Sequence, residues 1–247
     1  MKIFKADLHN HTVLSPCGDL EMTPSFIIST AKEKKYDIIG ITDHNTTLQA
    51  REIKRIVGNG FPFILCGAEI TTKEEAHCLA FCDMDRLDEL QSYLSEHLPN
   101  IKNNPDYFGY QLLVNEKEEV LEQEERLLIS ATDQSITEIE VFVHSLDGIF
   151  IPAHIDKTST SVISQLGFIP SDLKADALEF SAKCNIEEFL SSNPYIKKLN
   201  KQYIRSSDAH FPSYFGQCET FFHINELSFD EIRMAFRREN GRFVDCK

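Results

Sequence analysis

Seven short apolar runs recur along the chain, and most of them end in a polar or ionisable residue. Residues 3–8 lead into His9-Asn10-His11, residues 36–42 into Asp43-His44, and residues 61–68 into Glu69. Residues 77–81 are entered through His77, residues 148–153 end in His154, and residues 177–180 contain Glu179. Residues 202–205 lead into Ser207-Asp208-Ala209-His210. Short runs rich in Ile, Leu and Phe are the pattern of strands buried on both faces.

Helical patterns fill the intervals, over residues 25–35, 47–57, 85–98, 135–146, 186–191 and 228–238. Thr23-Pro24 supplies an N-cap followed by a first-turn proline, and Ser135 with Glu138 three residues later reads as a capping box. Alternating strand and helix predicts a mostly parallel sheet. Ionisable groups gathered past the carboxyl ends of different strands predict a barrel with its site on that face. The expected architecture is α/β: a distorted seven-stranded (β/α)7 TIM-like barrel forming one domain over residues 1–247. Residues 100–131 break the rhythm with an acidic run at 116–125, and predict an insertion, a hairpin with a solvated acidic turn beside the site.

The net charge of −14 argues against a broad grip on long duplex DNA, although bound cations can supply positive charge locally for a phosphate substrate. No apolar stretch is long enough to span a bilayer, so no membrane partner is expected. Seven cysteines without a regular framework or a cleavable leader predict free thiols and a cytoplasmic location. Cys78 and Cys82 fall in a strand pattern and read as small core residues rather than zinc ligands.

The histidines carry the chemistry. His9 and His11, two apart in an extended segment, point to one side, where both imidazoles reach one ion. The competing reading of that pair alone is two hydrogen-bonded histidines at a loop mouth. Asp208 and His210 repeat the spacing after the last run. Six of the nine histidines fall at strand termini, the exceptions being His97, His144 and His223. Histidine with carboxylate suits zinc, manganese or iron. Glu69 has two oxygens with which to bridge two ions. Asp19 lies in a turn beside the first pair, where it is a further ligand candidate or simply a turn residue.

These segments, Asp7-Leu8-His9-Asn10-His11-Thr12, Ile41-Thr42-Asp43-His44-Asn45, Gly67-Ala68-Glu69-Ile70, Pro152-Ala153-His154 and Ser206-Ser207-Asp208-Ala209-His210, together resemble the PHP (polymerase and histidinol phosphatase) family, in order from Asp7 to His210. The resemblance implies a two- or three-metal site that hydrolyses phosphate esters. It implies one ion held by His9, His11, Glu69 and Asp208, a second by Glu69, His77 and His154, and a third by Asp19, His44 and His210. Relatives often carry Ser-Asp-Gly at the turn that here reads Ser15-Pro16-Cys17-Gly18-Asp19, and Pro-Arg where Ile155-Asp156-Lys157 stands. Lys157 replaces that arginine as a point charge for a substrate phosphate.

The expected reaction is attack of a metal-bound hydroxide on a small phosphomonoester, or on the phosphoester of a nucleotide or short nucleic-acid end. His44, Asp208 and His210 are the candidate catalytic groups. Two other classes compete. An amidohydrolase-type hydrolase shares the HxH and the late Asp, but calls for a modified Lys at an intermediate strand end, where none is found. A non-catalytic metal- or phosphate-binding module would keep the fold and lose ligands.

Overall fold

The computed structural model describes residues 1–246. The amino-terminal half runs β1 (Lys2–Asp7), α1 (Pro24–Glu33), β2 (Ile38–Ile41), α2 (Leu48–Val57), β3 (Phe63–Thr71), β4 (His77–Phe81), α3 (Leu87–His97), α4 (Pro105–Phe108), β5 (Leu112–Val114) and β6 (Val120–Gln123). The remainder runs α5 (Ile136–Ser145), β7 (Ile149–Pro152), α6 (Val162–Leu166), β8 (Ala177–Phe180), α7 (Ile186–Ser192), α8 (Pro194–Lys198), β9 (Gln202–Arg205), β10 (Thr220–Ile224), α9 (Phe229–Phe236) and β11 (Phe243–Cys246). All seven expected strands form, and the two helix starts are as expected. Thr23 accepts from the Phe26 N–H, with Pro24 in the first turn, and both halves of the Ser135–Glu138 capping box are made.

The sheet differs from the expected (β/α)7 barrel. One curled seven-stranded sheet has the order β11-β10-β1-β2-β3-β4-β7, and β8-β9 form a separate parallel pair. Within the large sheet only β1-β2 and β2-β3 are parallel; β3-β4, β4-β7 and the contacts of β10 are antiparallel. The cause is local. Residues 72–76 form a tight turn closed by the Thr72 N–H on the Ala76 carbonyl, and so short a link cannot carry a crossover helix. Strands β10 and β11 lie outside the sequence reading, because their alternating burial gives no continuous apolar run.

The β8-β9 pair fills the gap between the sheet's ends. The Ile155 N–H donates to the Glu179 carbonyl at 2.8 Å, and the Val244 N–H donates to Gln202 Oε1 at 2.8 Å. Strand β3 shows how the core divides. Ile64, Cys66, Ala68 and Ile70 face the helices, with Ile53 of α2 and Ile139 of α5, whereas Leu65 joins Leu79, Ile151 and Phe222 in the interior. Gly40 lets β2 come this close to β1, since a Cβ there would stand 2.1 Å from the Leu8 carbonyl oxygen. Cys78 and Cys82 are buried free thiols, in keeping with their reading as core residues, and Cys66 is buried as well. No helix among the described residues is long and apolar enough to cross a membrane.

Residues 112–123 form the acidic hairpin, in which β5 pairs antiparallel with β6. The hairpin is stitched to the loop after His11: the Leu112 N–H donates to the Val13 carbonyl at 3.2 Å. Asn45 Nδ2 donates to the Leu128 and Ser130 carbonyls, which holds the end of this segment over the β2 and β3 termini.

Candidate metal centre

Backbone pairing brings the two HxH-type segments together. The His11 N–H donates to the Ala209 carbonyl at 3.0 Å and the Ala209 N–H to the His9 carbonyl at 3.3 Å. Asn10 anchors the first segment from below, with Nδ2 on the Asp7 and Gly40 carbonyls. Asp7 anchors the second, accepting from the Ser207 N–H at 3.0 Å. Glu69 reaches the same place because its own N–H is taken by the Thr42 and Asp43 carbonyls. His154 and Asp208 sit at φ 29° and 49°, in the left-handed region that non-glycine residues enter at a cost. The hydrogen bonds on either side hold them there.

The result is a buried cluster around one carboxylate. Glu69 Oε1 lies 2.8 Å from His77 Nδ1, 3.0 Å from His154 Nε2 and 3.4 Å from His9 Nε2. Its Oε2 lies 3.1 Å from His44 Nδ1 and 3.2 Å from His11 Nε2. Asp208 Oδ1 lies 3.4 Å from His9 Nε2 and 3.3 Å from His11 Nε2. Three ligand-type groups emerge: His9, His11, Glu69 and Asp208; His44, Glu69 and His77; His11, His44 and His210.

The donor set fits divalent cations. His9 Nδ1 faces the Glu179 carboxylate, which only accepts, so His9 carries its hydrogen there. His11 Nδ1 faces Ser15 Oγ at 2.9 Å, and that hydroxyl is already donated to Asp43 Oδ1 at 2.6 Å. His210 Nδ1 faces the Asp208 carbonyl at 3.1 Å. In each ring the Nε2 lone pair is therefore left for the cluster, and the two of His9 and His11 are 3.1 Å apart. Asp208 Oδ1 and His154 Nδ1 are buried without a hydrogen-bond partner. Facing lone pairs and carboxylate oxygens repel one another unless a proton or a cation lies among them.

The titration behaviour has the same origin. Burial alone would raise the Glu69 carboxyl, but the His77, His9 and His44 imidazoles hold it well below the usual carboxylate range. Asp208 is likewise held down against burial by His9 and His11. His9 is pushed well above its ordinary value, Glu179, Glu69 and Asp208 outweighing burial. Burial and the neighbouring His11 push His44 well down and His210 down to about 3, so both stay neutral.

Asp19 is not grouped with the other candidate ligands. Its Oδ1 accepts from the Glu21 N–H at 2.8 Å within the turn, and His11 stands with His44 and His210 in its place. The Asp19 backbone N–H donates to the His210 carbonyl at 2.8 Å. Lys157 does reach the site, ion-paired with Asp208 Oδ2. Asp43 is consumed by scaffolding, taking the Thr12 N–H and hydroxyl at 2.7 Å each. Glu179 was not among the candidate ligands. Its signal was a carboxylate inside the apolar run of β8, which a buried strand tolerates only with a partner. His97, His144 and His223 lie outside the cluster, as expected, each paired with a carboxylate.

The centre opens into a small cavity of about 150 Å3 lined by Cys17, His77, Ile129, Lys157, Thr160 and His210 among others. That is below the size of typical whole-ligand pockets, and suits the phosphoryl end of a substrate. Cys17 stands exposed at the mouth, where partial desolvation and the carboxylates nearby push its thiol up.

A protein of Methanocaldococcus jannaschii without an assigned activity is 36% identical over 78 residues, which cover 28% of this chain and 46% of that one. Among solved structures, the lesion-specific endonuclease Q of Pyrococcus furiosus matches with a TM-score of 0.69 at 20% identity, over 98% of this chain and 58% of that one. The chain thus spans under two thirds of the length of either. An endonuclease Q complex with a 27-mer duplex bearing an abasic lesion matches at TM-score 0.66 and 19% identity, over the same shares. A protein of similar fold thus engages a duplex, and the expected exclusion of long duplex DNA is unsupported for this chain. A candidate metal-dependent phosphoesterase of Bifidobacterium adolescentis matches at TM-score 0.61 and 18% identity, over 95% of this chain and 96% of that one. A PHP-associated profile matches residues 191–240. The PHP domain profile matches residues 7–160, more than half of the sequence, and the chain belongs to the PHP domain family.

Proposed function

We propose that this chain is a metal-dependent phosphoesterase acting on a small phosphomonoester, or on the phosphoester of a nucleotide or short oligonucleotide. The observation that carries the reading is Glu69, whose two oxygens are shared among five imidazoles in a buried cluster open at one mouth. His9, His11, Glu69 and Asp208 would hold one divalent ion, and Glu69, His77 and His154 a second. His44 and His210, with His11, are the set for a third. Manganese, zinc or iron suits these donors. Bound there, such ions polarise a phosphoryl oxygen and lower the pKa of water.

The chain's own groups do the rest. Lys157, at the cavity wall and paired with Asp208, is placed to take a phosphoryl oxygen as a point charge. His44 and His210 are held neutral, which leaves ring lone pairs for the third ion. Ile129 and the segment it ends narrow the mouth and limit water.

The test is metal analysis of protein purified without chelator, followed by a substrate panel with Mn, Zn and Fe. The panel holds nucleotides, sugar phosphates, histidinol phosphate, short oligonucleotides and an abasic duplex. Metal-dependent phosphate release, lost in Asp208→Ala, is expected. Stoichiometric metal binding with no turnover on any phosphoester would overturn the reading.

A further inference from the structure

A group of positive side chains without ion-pair partners among the described residues lies at the other end of the strands. Lys174, Lys201, Arg237 and Arg238 line a cavity of about 430 Å3 together with His144 and Asp176. Lys174 and Asp176 precede β8, Asn200 and Lys201 precede β9, and His144 lies in the last turn of α5 before β7. These are the amino ends of strands whose carboxyl ends carry His154, Glu179 and Asp208. A four-residue strand separates the two ends by roughly 13 Å at about 3.3 Å per residue. The cavity is therefore separate from the metal centre.

The charges in it have no internal partners. Among the described residues, none of Lys174, Lys201, Arg237 and Arg238 makes an ion pair, and only Arg238 has a side-chain contact here, a 3.4 Å hydrogen bond to Asn200 Oδ1. The lining carboxylate, Asp176, is already spent: Oδ2 takes His144 Nε2 at 3.0 Å and the Phe150 N–H at 2.8 Å. Glu140 is buried and takes the other His144 nitrogen at 2.9 Å. Four cations are thus gathered round one concavity in a chain of net charge −14, where the average field would favour dispersing them among acids.

We propose that this cavity is a binding site for a small ligand bearing linked phosphates, such as inorganic triphosphate or the triphosphate tail of a nucleotide. Two guanidiniums offer planar forks to phosphate oxygens, and two ammoniums add point charges. A chain of three phosphates carries about as much negative charge as these four groups carry positive, which a single phosphate does not. The volume falls within the range for small-ligand pockets, and buried Ala175 and Phe236 give it an apolar floor. His144 reports on the site, because an anion beside it favours its charged form; the groups facing it are Glu140, Asp176, Lys174, Lys201, Arg237 and Arg238.

The test is calorimetric titration of inorganic triphosphate, ATP and orthophosphate into the full chain, into Asp208→Ala and into a Lys201→Glu/Arg237→Glu double variant. Triphosphate is expected to bind the wild type and Asp208→Ala alike, to bind at least tenfold more tightly than orthophosphate, and to weaken at least tenfold in the double variant. The double variant should keep wild-type metal content. ATP binding more tightly than triphosphate assigns the site to nucleotides, whereas equal affinity assigns it to the phosphate chain alone. Lys174→Glu, on an exposed rim, provides the same readout if the double variant fails to fold. In the wild type, the His144 ring resonances should move on addition of triphosphate. Unmoved His144 resonances at saturation, undiminished binding in the double variant, or binding that disappears in Asp208→Ala would each overturn the proposal.

Discussion

Glu179, on β8, accepts from His9 Nδ1 at 3.0 Å and so dictates which nitrogen of that imidazole faces Glu69 and Asp208. The same carboxylate takes the His154 N–H at 2.9 Å, coupling two site histidines through one buried group. Replacing it by Gln keeps the shape, removes the charge, and lets an amide N–H face His9 Nδ1. The ring is then free to turn its hydrogen toward the cluster. Metal affinity in Glu179→Gln should fall by about 10–100-fold, the range for groups that orient a ligating histidine. Titration calorimetry with Mn or Zn measures this, and an unchanged affinity would show that Glu179 is only packing.

Asp208 and Asp19, both carboxylate candidates for the metal set, have different surroundings. Asp208 faces both His9 and His11, whereas the Asp19 carboxylate caps its own turn. Asp208→Ala and His9→Ala should each lower metal-dependent turnover by more than about 100-fold, as loss of a metal-holding group does, with far-UV circular dichroism unchanged. Asp19→Ala should cost no more than about threefold, the loss of one exposed turn hydrogen bond. Phosphate-release assays on the three variants decide it. Equal losses for Asp19 and Asp208 would return Asp19 to the metal centre.

How legible this site was depended on whether local spacing or tertiary pairing set each position. His9 and His11 share a side because of extended backbone, which two residues of sequence suffice to reveal. Asp208 beside them depends on the bridge between Asn10 and Ala209, some 200 residues apart, and was reached only through the repeated motif order. Glu179 and Ser15 contact candidate ligands, and Asp43 reaches His11 through Ser15, so no ligand spacing marks them. The fold shows the same division. Strands with continuous apolar runs were visible, whereas the half-buried β10 and the terminal β11 were not. The antiparallel β3-β4 pairing was written in the brevity of residues 72–76, a signal that strand counting alone passes over.

His144 gives the stability a pH dependence away from the metal centre. Its hydrogen bond to Asp176, and then the one to Glu140, hold it above its ordinary value against partial burial. The folded chain therefore binds this proton more tightly than the unfolded chain. The stabilisation is complete below the unfolded value of about 6.5 and fades as the pH rises through the higher folded value. His144→Gln should cost about 1–2 kcal/mol at pH 6, a drop of roughly 2–8 °C in melting temperature for a chain of this size, and progressively less toward pH 9. Thermal melts of both proteins across that range test it, and a gap that widens with pH would contradict the assignment.

Lys157 separates phosphate binding from metal binding. It lies at the cavity wall and is ion-paired to Asp208. Truncating it removes one charge-assisted contact to a phosphoryl oxygen, worth about 1.5–3 kcal/mol, or roughly 10–150-fold in kcat/KM. Asp208 retains His9 and His11, so metal stoichiometry in Lys157→Ala should match the wild type. Lys157→Arg restores the charge with a planar fork in place of a rotatable ammonium, and should recover most of the loss if the contact is to phosphate. If the role were only to hold Asp208 in place, metal content would fall together with kcat/KM in Lys157→Ala. Parallel metal analysis and steady-state kinetics on the two variants distinguish these outcomes, because a phosphate contact moves kcat/KM alone.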